Sequence, residues 1–419
     1  MELHRNVKIR MVIAFLNMGG QCLIFPFLAI YFAKYYGAAL AGALFFLPVF
    51  ASMVASLSGG YYADKFGRKN IIVFGSVLQL LSALLLTAGN VPGHVIPIFA
   101  FLSLLFLNIS VGLQFPPLEA LVIDSTSFEQ RKKVYGILYW LNNFAMAAGT
   151  LLGAFFHDTH FFQLTIIMSS INLSMFVLLA FFLTETKSVL PENKTNLTSP
   201  LKNIWGSYKL VFQNFTFLKY MIAGILTLGL EKQLGKYISV RLQGEFQPVH
   251  VFSSTIDGVK LFGILMTENS VLAVVFTLLI TGMIARRKMS DKRQISIGIF
   301  LFASGFVVLA VSNSIWVLAG FMFILTIGEI MMSPVKQMLL SEIAEGSDRS
   351  KYLAANMLNS RGAAMLGAIG LSAASFMSSF GMAVIYGLMG ATAIFFFRSI
   401  YKERRNFQRQ KTPLKQFVK

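Results

Sequence analysis

Five carboxylates fall inside long apolar runs, where an ionised side chain costs about 3 kcal/mol or more and is a candidate functional group by default. They are Glu119, Asp124, Glu231, Glu268 and Glu329. Glu329 lies deepest, between Ile324-Leu325-Thr326-Ile327-Gly328 and Ile330-Met331-Met332. A carboxyl in such surroundings is held away from water and can take up and release a proton, as a proton-coupled site requires. Permanent pairing of Glu329 with Arg361 or a lysine is the competing reading. Glu231 and Glu119 join Glu329 as proton-coupling candidates. Glu231 is followed by Lys232 and Lys236, which straight helical geometry would place on one face. Lys236, Arg361, Asn17, Gln21, Tyr139, Trp140, Asn142 and Asn143 are candidate linings of a polar-spotted apolar cavity.

The elements that must carry these residues are legible from composition. The chain is 56% hydrophobic and 13% charged, against about 25% charged in a soluble domain. Apolar runs recur throughout, and most are about twice the ten or so residues of a β-barrel strand, without its alternation. We therefore expect an all-α integral membrane protein with twelve spans, near 9–33, 40–62, 70–90, 95–122, 134–156, 162–183, 217–240, 262–285, 294–312, 315–340, 351–377 and 380–401. The first run has no small-residue cleavage site and is expected to be a retained span. The polar stretch TETKSVLPENKTNLTSPLKNIWGSYK reads as a linker, with a short amphipathic helix around Trp205. The expected domains are a six-helix half over 1–184, a cytoplasmic linker over 185–216, a second six-helix half over 217–402 and a basic tail over 403–419. Paired halves of this kind place a transport site between them near the midplane.

Charge supplies the orientation. If the N-terminus is cytoplasmic, inner segments hold 28 of the 36 Lys and Arg, and the outer loops only Lys34, Arg241 and Lys260. Both termini are therefore expected inside. The net charge of +18 is dispersed in short clusters at alternate turns rather than gathered with aromatics, which speaks against nucleic-acid binding. The basic tail is expected to face lipid headgroups. The single cysteine, Cys22, excludes an intramolecular disulfide. His157 and His160 lack further partners in sequence, so neither a metal site nor a cofactor is expected. No nucleophile elbow, Walker loop or paired metal-binding carboxylates suggest an enzyme or an ATP-driven pump.

The most specific local signal is Gly60-Tyr-Tyr-Ala-Asp64-Lys65-Phe-Gly67-Arg68-Lys69. Gly60 is expected to let two helices approach closely and Gly67 to permit a turn with positive φ. Asp64 would sit at a helix end, and Arg68 and Lys69 mark the inner side. For Asp124 the residues leave two partners open, Arg68 or a loop cap through Arg131.

This stretch resembles the loop signature of the major facilitator superfamily. YYADKFGRKNIIVFG, LVIDSTSFEQRK, LYWLNN and TIGEIMMSPVKQ are similar to the drug/proton antiporter-1 family and its Gram-positive multidrug exporters. The resemblance implies the major facilitator fold of two pseudo-symmetric six-helix halves. It also implies a cytoplasmic latch of Gly60, Asp64, Gly67, Arg68, Lys69 and Asp124, and proton and cation binding at Glu329. Departures are specific: Leu138 stands where an acid is expected before Tyr139-Trp140, and Gly235 where another is expected in span seven. The span-five glycine motif is reduced to Gly149 and Gly153, and span four lacks its arginine. The implied function is alternating-access export of lipophilic or amphiphilic drug-like compounds, hence antibiotic resistance, driven by the proton gradient. The chain would work as a multi-pass cell-membrane monomer whose partners are hydrophobic substrate, protons and membrane lipids. A lipid flippase, or a carrier of small anionic metabolites using the basic residues, is the alternative on the same fold.

Overall fold

The computed structural model describes residues 4–185, 213–251, 254–286, 289–344 and 349–414. Nearly all of it is helix, in the order α1 Arg5–Cys22, α2 Leu28–Leu44, α3 Phe46–Phe66, α4 Arg68–Ala88, α5 Pro97–Asp124, α6 Phe128–Val177, α7 Phe215–Gln233, α8 Ser239–Glu245, α9 Gly258–Arg286, α10 Asp291–Val311, α11 Ile315–Ile343, α12 Arg349–Ala373 and α13 Ser379–Leu414. Among the described residues, eight stretches are long and apolar enough to cross a membrane, and two of them, at 59 and 50 residues, are each long enough to cross twice. Those two bend where crossings must reverse, at Gly37 (φ +76°) and at His160 (φ −135°). With α7–α8 and α12, whose charged and small polar residues lower their hydropathy, the spans number twelve. The expected linker over 185–216, with its helix around Trp205, lies outside the described residues except at its two ends. The last helix runs on to Leu414, past the expected start of the tail at 403.

Two short antiparallel hairpins depart from the all-helical expectation: Asn90–Val91 (β1) with His94–Val95 (β2), and Val249–Val251 (β3) with Ser254–Ile256 (β4). Each closes a turn between spans, where the chain leaves the apolar run and backbone polar groups need partners. Gly93, at φ +82°, makes the first of these turns.

By internal packing the described residues form two compact units. The first comprises residues 4–185, 235–274 and 368–375, and the second residues 213–234, 275–344, 349–367 and 376–414 with the undescribed positions excepted. In the first unit α1 packs on α6, and α3 and α4 on α5. Its core includes Ile24, Leu28, Phe32, Leu86, Leu104 and Met168, all nearly inaccessible. In the second, α10 packs on α11 and α13, and α13 on α7. Phe302, Phe306 and Tyr386 fill that core with edge-to-face rings.

Close helix approach is set by small residues, as expected where lipid removes any hydrophobic drive between helices. The expectation for Gly60 is corrected here. A Cβ on Gly60 would lie 3.8 Å from Pro116 Cβ, an ordinary contact, whereas on Gly59 it would meet the Leu113 carbonyl oxygen at 2.6 Å. One residue turns the helix by 100°, and it is Gly59 that faces α5.

Candidate functional site

The loop signature builds a charged knot in the first unit. Gly67 has φ +92° and turns the chain directly from α3 into α4, a conformation open to glycine and costly for other residues. Arg68, the first residue of α4, ion-pairs with Asp124 at the end of α5. Of the two partners left open for Asp124 the structure selects Arg68; Arg131 instead donates to the Ile123 carbonyl at 3.1 Å. Glu185 was not anticipated: its carboxylate accepts from the backbone N–H groups of Arg68 (3.2 Å) and Lys69 (2.9 Å), capping the amino end of α4. The hint was an acid in TETK just beyond span six, facing a helix start without a capping side chain. The Asp64 side chain lies outside the described residues.

Further into the first unit, Glu119 accepts from the Tyr135 hydroxyl at 3.0 Å and lies 3.7 Å from the Arg10 guanidinium. Deeper still runs a ladder of neutral side chains. Asn17 Oδ1 accepts from Gln21 Nε2 (2.7 Å) and from Gln79 Nε2. Gln114 Nε2 donates to Gln79 Oε1 (3.3 Å) and Ser110 Oγ (2.7 Å), and Ser110 donates to the Gly75 carbonyl (2.7 Å). Asn17 and Gln21 were cavity candidates; Gln79 and Gln114, buried at 3% and 5% exposure, were missed. Their signal was amide side chains within otherwise apolar runs, in a span four that lacks its expected arginine.

The remaining cavity candidates scatter. Tyr139 and Trp140 are each half exposed, Trp140 stacking on Phe144. Asn142 is partly buried, and Asn143 bonds the Tyr139 carbonyl within its own helix. The Lys236 ammonium sits 3.0 Å from the centre of the Phe45 ring, a cation–π contact. Expected to share a face, Lys232 and Lys236 do not. Residues Leu234–Ile238 form a π-helical turn with Gly235 off helical geometry, which shifts the register, so Lys232 meets Glu231 and Lys236 meets Phe45. His157 and His160 each pair with their own neighbours, Asp158 and Thr159.

The second unit gathers charge. Lys232 donates to Glu231 at 2.7 Å, and both side chains are about 40% exposed. Lys336 Nζ donates to Thr227 Oγ1 at 3.0 Å and lies within electrostatic range of Glu231 and Glu329; Glu329 also acts on Lys232. Two acids and two lysines thus form one group on α7 and α11. Close backbone packing seats Glu329: a Cβ on Gly328 would lie 2.5 Å from the Gly298 carbonyl oxygen and the Phe302 amide nitrogen. Lys336 was missed as a site residue, although it follows Glu329 by seven positions, two turns along one face. Arg361, the last cavity candidate, is partly buried on α12. In the first unit, Glu268 on α9 is half-buried beside Thr267, which bonds the Ala147 carbonyl at 3.2 Å, and has no polar partner among the described residues.

Carboxylates at membrane depth, with lysines as internal counter-ions, can exchange a proton or a cation; no described group of three metal-ligating side chains accompanies them. Comparison with known proteins agrees with a carrier. The sequence profile of the Major Facilitator Superfamily matches residues 10–247 and 214–418. A "Na(+), Li(+), K(+)/H(+) antiporter" of Planococcus maritimus is 30% identical over 366 residues, covering 85% of this chain and 86% of the relative. "Multidrug resistance protein MdtH" of Photorhabdus laumondii is 22% identical over 405 residues, covering 92% of each chain. A crystal structure of peptide transporter POT in complex with sulfate superposes with a TM-score of 0.75 at 13% identity, over 97% of this chain and 95% of that one. From its profile, its spans and its fold, the chain belongs to the major facilitator superfamily.

Proposed function

We propose that this transporter is a proton-coupled antiporter that exports cations by alternating access, with Glu329 as the exchanging carboxylate. The observation that carries the proposal is the group Glu231, Lys232, Glu329 and Lys336 inside one unit. Lysine ammoniums there offset the carboxylates while the site is empty, which keeps an unoccupied site from crossing the membrane with bare charge. An incoming cation displaces an ammonium from a carboxylate, and protonation from the outer side releases that cation. Glu231 supplies the acid that Gly235 does not. Glu119, already engaged by Arg10 and Tyr135, serves the first unit's packing rather than exchange. The proton gradient is the only energy source, no cofactor takes part, and the chain acts in the cell membrane with both termini cytoplasmic.

A small monovalent cation is the leading substrate, because the 30%-identical relative carries that activity in its name. Lipophilic drug-like cations are the second reading. The multidrug relatives favour them, as does an apolar cavity of about 300 Å³ in the first unit, lined by Phe15, Leu16, Leu23, Leu152 and Phe156 among others.

Proteoliposomes with an imposed pH gradient test both. Sodium, potassium or a lipophilic cation added to the wild type should dissipate the gradient, and Glu329→Gln should lose at least a hundredfold in rate while inserting normally. Undiminished exchange by Glu329→Gln, or a wild type that moves protons with none of these cations, overturns the reading.

A further inference from the structure

The second unit also holds a trough that the exchange centre does not use. One end is a cavity of about 400 Å³ lined by Ser290, Lys292, Arg293, Ser296, Ile297 and Arg398. An adjoining cavity of about 380 Å³ shares Ser296, Ile297 and Arg398 and continues over Phe300, Ala391 and Ile394. One trough therefore runs between α10 and α13, with cations at one end and only apolar side chains at the other.

The basic end is organised. Arg398 Nε donates to Ser296 Oγ at 3.0 Å, which orients the guanidinium and leaves its other N–H groups for a ligand. Lys292, Arg293 and Arg398 have no ion-pair partner among the described residues; Glu403, the acid one turn beyond Arg398, is taken by Lys219. Ser290, at the start of α10, makes no side-chain cap, so the positive end of that 21-residue helix adds to the three cations. Among the described residues, the acid in the first turn of α10 is Asp291. The apolar end is equally specific: Ile297 and Phe300 lie one turn apart on α10, as do Ala391 and Ile394 on α13, and Phe300 is 63% exposed.

We propose that this trough is a binding site for an anionic phospholipid of the cytoplasmic leaflet, the phosphate held by Arg398, Lys292 and Arg293 and an acyl chain lying along Phe300 and Ile394. A free phosphate or soluble anion would use the basic end alone and leave the apolar continuation unexplained. A zwitterionic lipid would add a cation where three are already present. Arginine suits the headgroup because its planar fork meets phosphate oxygens two at a time, and basic pockets between spans on the cytoplasmic side recognise anionic headgroups by this means.

Native mass spectrometry of the full chain, titrated with phosphatidylglycerol or phosphatidylcholine, tests the site. The wild type should retain one phosphatidylglycerol at concentrations where phosphatidylcholine is lost. Arg398→Gln should weaken that retention about tenfold and Arg398→Lys less, whereas Arg286→Gln, in the same basic turn but outside the trough, should leave it unchanged. Lys292→Gln, at an exposed position, keeps the test available should the Arg398 variants fold poorly; it too should weaken retention. Phe300→Ser should weaken both lipids' residual binding without changing the preference. Equal retention of the two lipids overturns the proposal, as does an equal loss in Arg286→Gln and Lys292→Gln. Displacement by millimolar inorganic phosphate would reassign the site to a free anion and overturn it likewise.

Discussion

The interiors of the two units solve the same problem, polar groups at membrane depth, in opposite ways. The first unit joins Asn17, Gln79, Gln114 and Ser110 in a ladder of neutral hydrogen bonds. The second places two acids and two lysines together on α7 and α11. Amides satisfy one another without titrating, so they fix helices against each other and respond little to pH. Carboxylates and ammoniums can trade a proton or a cation, and they hold a configuration only while the charges balance. Under the proposed function, the difference gives rigidity to one interior and exchange to the other.

That contrast is open to direct attack. Beyond the loss expected in Glu329→Gln, Lys336→Gln should slow exchange about tenfold, since it leaves Glu231 and Glu329 with one ammonium between them; initial rates in proteoliposomes measure this. A rate equal to the wild type's would remove Lys336 from the exchange centre. In the first unit, Gln114→Leu should cost about 1–2 kcal/mol, the usual scale of a hydrogen bond between membrane helices plus the partners left unpaired. It should lower the thermal midpoint in detergent yet retain most of the transport rate. Loss of proton coupling in Gln114→Leu would instead bring the ladder into the exchange centre.

The smallest effect is expected outside the membrane. The Asp158 carboxyl is held below its ordinary value by its hydrogen bond with His157, helped by the charges of Lys34 and Lys260 against the cost of burial. A group whose folded-state value is depressed stabilises the fold above its unfolded value, and that contribution disappears as pH falls through the folded one. Asp158→Asn should therefore change the melting temperature slightly at neutral pH and not at all in strong acid, as a pair of melting curves would reveal.

Much of this architecture was legible before any fold was known. Glu329 stood out because eight apolar or small neighbours flank it in sequence, and Asp124 because it follows an apolar run at the end of a span. Lys336 was within reach, two turns from Glu329 on the same helix. Gln79 and Gln114 were harder. A helix apolar on nearly all faces gives no periodicity to say which side turns inward, and their partner Asn17 is 62 residues from Gln79. Lys232 and Lys236 would share a face only on a straight helix, and Gly235 sits in a π-helical turn between them. Gly60 misled by one residue, since the spacing marks a close approach without saying which of two adjacent glycines makes it.

The sequence by itself determined the helical spans and the short roster of charges within them, and it set the expectation for their sidedness. Those follow from transfer free energies, which each residue carries with it along the chain. Only the tertiary structure decided that Arg68 meets Asp124, that Glu185 caps α4, and that Lys336 stands with Glu231 and Glu329. In a medium of low dielectric, a shift of a few ångströms decides whether a charge is paired, and those distances are set between helices far apart in sequence.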